Sequence, residues 1–108
     1  MFEIIISQRA RKSAKKLPQY YKRRVIELLL IFRENPVPAE YYDIKKLKGY
    51  RDTYRARIGD IRMIYEILWN QKKVHILTIG KEKEPIRASK KHRLSILYFV
   101  TSNKIDVL

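Results

Sequence analysis

Tyr54-Arg55-Ala56-Arg57-Ile58-Gly59-Asp60-Ile61-Arg62-Met63-Ile64-Tyr65-Glu66 consists of two alternating runs joined by a glycine–aspartate pair. Alternation of period two marks a half-buried strand, and Gly-Asp between two such runs marks a two-residue hairpin turn. With Gly59 and Asp60 as the loop, Ile58 faces Ile61, Arg57 faces Arg62, Ala56 faces Met63, Arg55 faces Ile64 and Tyr54 faces Tyr65. One side then carries Tyr54, Ala56, Ile58, Ile61, Met63, Tyr65 and Ile67, which is a core face. The other carries Arg55, Arg57, Arg62, Ile64 and Glu66. Directly opposed like charges destabilise a sheet. An anion between the guanidiniums offsets that repulsion, and the planar arginine fork suits bidentate contact with phosphate. The competing reading pairs these arginines with nearby carboxylates.

The alternation continues on both sides of the hairpin. Asn70-Gln71 forms the next turn, and Lys73 to Ile79 forms a further strand that stops at Gly80. The same register places His75 opposite Glu66, a pairing open both to proton transfer near neutral pH and to a plain ion pair. Upstream, Ile44 to Lys48 is a short charged edge strand ending at Gly49.

The first third of the chain changes period. Phe2-Glu3-Ile4-Ile5-Ile6-Ser7 is a β-branched strand with Phe2, Ile4 and Ile6 on one face. Ser7 is suited to cap a helix bearing Ala10, Ala14 and Leu17 at helical spacing, rimmed by Arg9, Arg11, Lys12, Lys15 and Lys16. Pro18 suits the start of a second helix. There Tyr21, Val25, Leu28, Leu29 and Phe32 make one core stripe, and Asn35-Pro36-Val37-Pro38 ends it. Ile26 and Leu30 lie off that stripe, beside Lys22 and Arg33, as a candidate partner-binding ridge. The expected fold is α+β: an N-terminal strand, two helices, then an antiparallel meander of about four strands, with the helices on one face.

Composition narrows the function. The chain has 108 residues, 25 Lys+Arg against 11 Asp+Glu, a net charge of +14 and 45% hydrophobic residues. One domain over 1–108 fits that length, at roughly 100–200 residues per domain. Its core is expected at about 2–83, with a tail at 84–108. So basic a domain is built for polyanions, nucleic acid first. No cysteine is present, which excludes disulfides, thiolate metal sites and cysteine nucleophiles. The two histidines share no metal-ligand spacing, and the glycines at 49, 59 and 80 fall at turns rather than in a phosphate-cradling loop. No metal and no cofactor are expected. Without a signal peptide or a long apolar run, no membrane association is expected and the location is cytoplasmic.

Lys45-Lys46-Leu47-Lys48-Gly49, the hairpin string through Glu66, and the strand ending Ile79-Gly80 resemble the RelE/ParE superfamily of toxin–antitoxin toxins, over roughly residues 2 to 83. The resemblance implies a small ribonuclease-like sheet with two helices on one side. It further implies an activity: a metal-independent, ribosome-dependent messenger-RNA endonuclease in which the RNA's own 2′-hydroxyl attacks the adjacent phosphate. By that likeness Arg62, Arg57, Arg55 and Lys81 are the catalytic candidates, and Lys46, Lys48, Arg51, Lys83 and Arg87 the RNA-binding ones. An acidic, RelB-like antitoxin is the implied partner, with Ile26, Leu30 and Arg33 as its landing site, alongside the ribosome and its message. Glu82 and Ala88 stand where the ribosome-dependent branch carries an arginine and a tyrosine. Two other functions stay open: a ParE-like inhibitor of DNA gyrase without catalysis, and a basic RNA-binding protein.

Overall fold

The structure, a computed structural model, describes residues 1–81 and 98–100. In chain order these form β1 (Glu3–Ser7), α1 (Gln8–Lys15), α2 (Gln19–Glu34), β2 (Asp43–Lys46), β3 (Thr53–Ile58), β4 (Ile61–Leu68), β5 (Lys73–Lys81) and β6 (Tyr98–Val100). The six strands make a single sheet in the order β2-β3-β4-β5-β1-β6. β2 through β5 form the expected antiparallel meander. The sheet as a whole is mixed, because β1 inserts beside β5 in parallel, Ile4 against Val74 and Ile6 against Ile76. β6 then pairs antiparallel with β1, Ile6 against Phe99.

Local chemistry explains the helical layer. Ser7 ends β1 and caps α1: its Oγ accepts from the Ala10 N–H at 3.0 Å and donates to the Leu77 carbonyl at 2.9 Å. One buried hydroxyl thus fixes the strand-to-helix corner against β5. Pro18 caps α2 without a side-chain bond, and Asn35, in extended conformation, ends it. Val25, Leu28, Leu29 and Phe32 of α2, with Ala10 and Ala14 of α1, join Ile4, Ile6, Ala56, Ile58, Ile61, Met63, Tyr65 and Ile76 in one buried cluster. All the helical packing therefore falls on one face of the sheet. Tyr65 anchors that cluster, lying 4.4 Å from Phe32 and 5.7 Å from Tyr54 between ring centroids. Its hydroxyl donates to the Pro36 carbonyl at 2.7 Å. Burial, then the neighbouring Tyr54, raise the Tyr65 pKa, so the phenol stays protonated.

β5 departs from the simple alternation. Tyr65 pairs with Ile76, but Ile64 pairs with Thr78, so Leu77 is an extra residue in a bulge. The bulge lets Ile76 and Ile79, three apart, both join the core cluster. β5 continues through Gly80, where the strand was expected to stop, to Lys81.

Candidate functional site

The β3–β4 hairpin has the expected register, with Arg57 directly opposite Arg62 and Ile58 opposite Ile61. Gly59 makes the turn possible. Its φ of +55 is a left-handed value that side chains resist, and a Cβ there would lie 2.6 Å from the Tyr21 hydroxyl of α2. The turn is thus pressed against the helical layer, which holds the two strands behind it.

Across the sheet, on the face away from the helices, the register forms rows. The first row runs Asp43, Arg57, Arg62, Gly80. The bulge sets its last member. Without it Arg62 would face Ile79; with it the neighbour is a residue that has no side chain. Bulges commonly re-aim strands beside working sites. The second row runs Lys45, Arg55, Ile64, Thr78. The third holds Thr53, Glu66 and His75, with Ile5 beyond.

The three arginines differ sharply in environment. Arg57 is exposed and Arg62 half-buried. Arg55 is only 8% exposed, and its Nη2 donates to Asp43 Oδ1 at 2.7 Å. Of the three arginines expected on this face, Arg55 is thus paired with a carboxylate, while Arg57 and Arg62 stand directly opposite each other. Asp43 was not a candidate, because β2 was expected to begin at Ile44. Its signal was being the one acid between Glu40 and Asp52, directly before a basic run.

The remaining candidates separate by register. Lys46 pairs with Tyr54 on the helical side, whereas Lys45 shares the row of Arg55. Ile44, half-buried opposite Ala56, already implied that phase. Lys81 pairs with Ile61, so alternation directs it to the side opposite Arg62, and it is exposed at the strand end. Lys48 is exposed in the β2–β3 connection, and the Arg51 side chain is 92% exposed there. Lys83 and Arg87, like Glu82 and Ala88, lie outside the described residues.

Glu66 and His75 do face each other. They stand four residues along β4 from Arg62, about 13 Å at ~3.3 Å per residue, with the Arg55–Ile64 row between. Burial, then Lys73, hold the His75 pKa below its ordinary value of 6.5, against an opposing pull from Glu3. His75 is therefore neutral near pH 7. Among the described residues, no group of three or more His, Cys, Asp or Glu is placed to hold a metal ion, and no helix is long and apolar enough to cross a membrane.

The candidate ridge on α2 divides in two. Leu30 is 48% exposed, while Ile26 packs on the core. Arg33 is half-buried, with its Nε buried and its carbonyl accepting the Phe2 N–H at 2.8 Å.

Comparison with known proteins gives a consistent result. A family model for the ParE toxin of the type II toxin–antitoxin system, parDE, matches residues 4–86. A Methanocaldococcus jannaschii protein, RelE1, provisionally named a toxin, is 37% identical over 82 residues, covering 76% of this chain and 91% of that protein. The crystal structure of the archaeal RelE-RelB complex from Pyrococcus horikoshii OT3 superposes with a TM-score of 0.70 at 35% identity. It covers 78% of this chain and 98% of that chain. The intact Escherichia coli RelBE toxin–antitoxin complex matches in fold, with a TM-score of 0.66 at 21% identity over 78% of this chain and 100% of that one.

Proposed function

Because the chain belongs to the ParE toxin family of type II toxin–antitoxin systems, we propose that it is the toxin of a RelBE-type pair and that it cuts messenger RNA on the ribosome without a metal. The observation that carries this reading is the Arg57–Arg62 pair, two like charges placed opposite each other beside Gly80. A phosphodiester between them offsets their repulsion. As the RNA 2′-oxygen bonds to phosphorus and the bond to the 5′-oxygen breaks, negative charge grows on the non-bridging oxygens. Fixed guanidiniums stabilise that charge without having to reorganise. The products are a 2′,3′-cyclic phosphate and a free 5′-hydroxyl.

Arginine keeps its proton at any ordinary pH and so cannot accept one from the 2′-hydroxyl. Asp43 stands beside Arg57 and Lys45 beside Arg55 on β2; over the reaction the 2′-hydroxyl loses a proton and the departing 5′-oxygen gains one. Glu66 and His75 lie one row too far for direct transfer. Arg55, tied to Asp43, acts as a positioning residue that holds the β2 edge against the site.

The proposed partner is an acidic, RelB-like antitoxin, since both the archaeal and the bacterial structures named above are complexes of that kind. Its carboxylates suit the arginine row, and exposed Leu30 offers its helix an apolar contact. The test is message cleavage in a translating extract, mapped by primer extension, for the native chain and for Arg62→Ala. Cuts at discrete sites, lost in the variant, support the reading; equal activity in both overturns the role of the arginine pair. The family model's ParE description favours a second reading, inhibition of DNA gyrase. A supercoiling assay that shows inhibition with no RNA cut would select it.

A further inference from the structure

At the end of β4, between the β4–β5 turn and the β2–β3 connection, lies a hollow of about 400 Å³ that the chemistry above does not use. Arg51, Asp52, Glu66, Trp69, Asn70 and Gln71 line it. Trp69 is the chain's single tryptophan. It opens the 3-10 turn Trp69–Gln71 and remains 46% exposed. Phe2 meets its ring edge-on, 5.7 Å between centroids and 83° between planes, which fixes the indole while leaving much of it in water.

The opposite wall is equally fixed. Asp52 has a φ of 47, the left-handed region, without being glycine. Its carbonyl accepts the Ile67 N–H at 2.9 Å, and the Thr53 hydroxyl donates to the Arg51 carbonyl at 2.8 Å. A non-glycine residue at positive φ is uncommon, and these hydrogen bonds hold the backbone there. The Arg51 side chain, 92% exposed, lines the hollow beside Asp52.

The wall chemistry identifies the ligand class. An indole face stacks on any base, because every base has a π-face. The amides of Asn70 and Gln71 offer donors and acceptors in one plane. Arg51 Nε lies 3.9 Å from Asp52 Oδ2, and the guanidinium still turns N–H donors toward a phosphate while the Asp52 carboxylate accepts from ring or exocyclic N–H groups. An acidic peptide meets two carboxylates here, and a lipid surface meets too little apolar area. A base of a single-stranded RNA meets a complement at each position.

We propose that this hollow is a nucleobase pocket, with Trp69 as its stacking platform, that selects the base lying a short stretch of strand from the phosphate held by Arg57 and Arg62. The proposal rests on the RNA-cleaving reading. Glu66 and Arg62 lie on the same strand and the same face, about 13 Å apart at ~3.3 Å per residue, so one RNA segment spans both.

Trp69 reports on its own occupancy. Short 2′-O-methyl oligoribonucleotides of A, G, C and U bind without being cut, and two signals follow them: fluorescence anisotropy of an end label and the intrinsic emission of Trp69. The expected result is quenching of Trp69 in step with the anisotropy, with unequal affinity among the four bases. Trp69→Ala weakens binding about tenfold and levels the base preference, whereas Trp69→Phe retains most of both. The exposed pair Asn70→Ala with Gln71→Ala, which leaves the indole and its Phe2 contact in place, alters the order of preference without changing the melting temperature. Binding by anisotropy with unchanged Trp69 emission and equal affinity for Trp69→Ala overturns the pocket and leaves the RNA reading standing. No anisotropy change with any oligomer overturns the RNA reading, and the pocket with it.

Discussion

Asp43 Oδ1 lies 2.7 Å from Arg55 Nη2 while standing, in register, directly opposite Arg57. One carboxylate on the edge strand thus holds the buried arginine and adjoins the exposed one. Arg55 is nearly enclosed, with its Nε buried and making no hydrogen bond, whereas the Asp43 side chain is 55% exposed. Removing the acid leaves a buried cation with less compensation than it needs.

Asp43→Asn should therefore destabilise the fold. Breaking a fully buried pair costs about 3–5 kcal/mol, and the exposure of Asp43 reduces that to about 1–2 kcal/mol. Urea unfolding measures it. Asp43→Asn combined with Arg55→Met should recover much of the loss, because no unpaired charge then remains inside. A double variant as unstable as the sum of its singles contradicts the coupling.

Arg62→Ala should leave the melting temperature within the small range of a half-exposed substitution. Message cleavage should fall about 10²–10³-fold, the usual effect of removing one transition-state donor. Arg57→Ala should behave in kind. Arg55→Ala should lose stability as well as rate, because its side chain is buried.

Gly59→Ala should cost about 1–2 kcal/mol from the left-handed backbone alone, and more from the Tyr21 hydroxyl 2.6 Å from the added Cβ. Tyr21→Phe in the same chain removes the nearest atom and should restore only part of the loss, since two ring carbons remain at 3.1 and 3.3 Å. Full restoration would show that backbone conformation contributes nothing.

His75 gives stability a pH dependence of definite sign. Its folded pKa lies below 6.5, so as pH falls through that value the unfolded chain gains the proton first. Stability contributed by His75 is complete above 6.5, declines below it, and levels off once the folded form is protonated too. His75→Gln should flatten this acid limb of the curve. An unchanged slope would assign it to other groups.

Leu30→Ser should weaken the antitoxin complex and leave the isolated toxin as stable as before, since Leu30 is 48% exposed. Ile26→Ser should lower the melting temperature, because Ile26 packs on the core. Titration calorimetry beside thermal melts separates the two effects.

The hairpin was legible in the sequence because period-two alternation and a glycine turn are local signals, and together they set the register of every residue from Thr53 to Glu66. Ser7 was legible as a cap for the same reason. The bulge at Leu77 was not, since nothing local distinguishes it from a regular run of Val, Ile and Leu. Its position follows from how Ile76 and Ile79 reach one core. The partner of Arg55 was missed by a single residue at the start of β2, because edge strands are short and their boundaries weakly marked. The place of β1 was hidden for a different reason: parallel pairing between residues about 70 positions apart leaves no trace in local pattern. Within the tail expected after residue 83, Tyr98–Val100 is a strand on β1.

That inserted first strand makes the protein all-or-nothing during synthesis. β1 is made well before its neighbours in the sheet, β5 and β6. Contacts so distant in sequence close late. A chain that stops before β5 therefore leaves β1 without its parallel partner and the sheet open at the edge of β4.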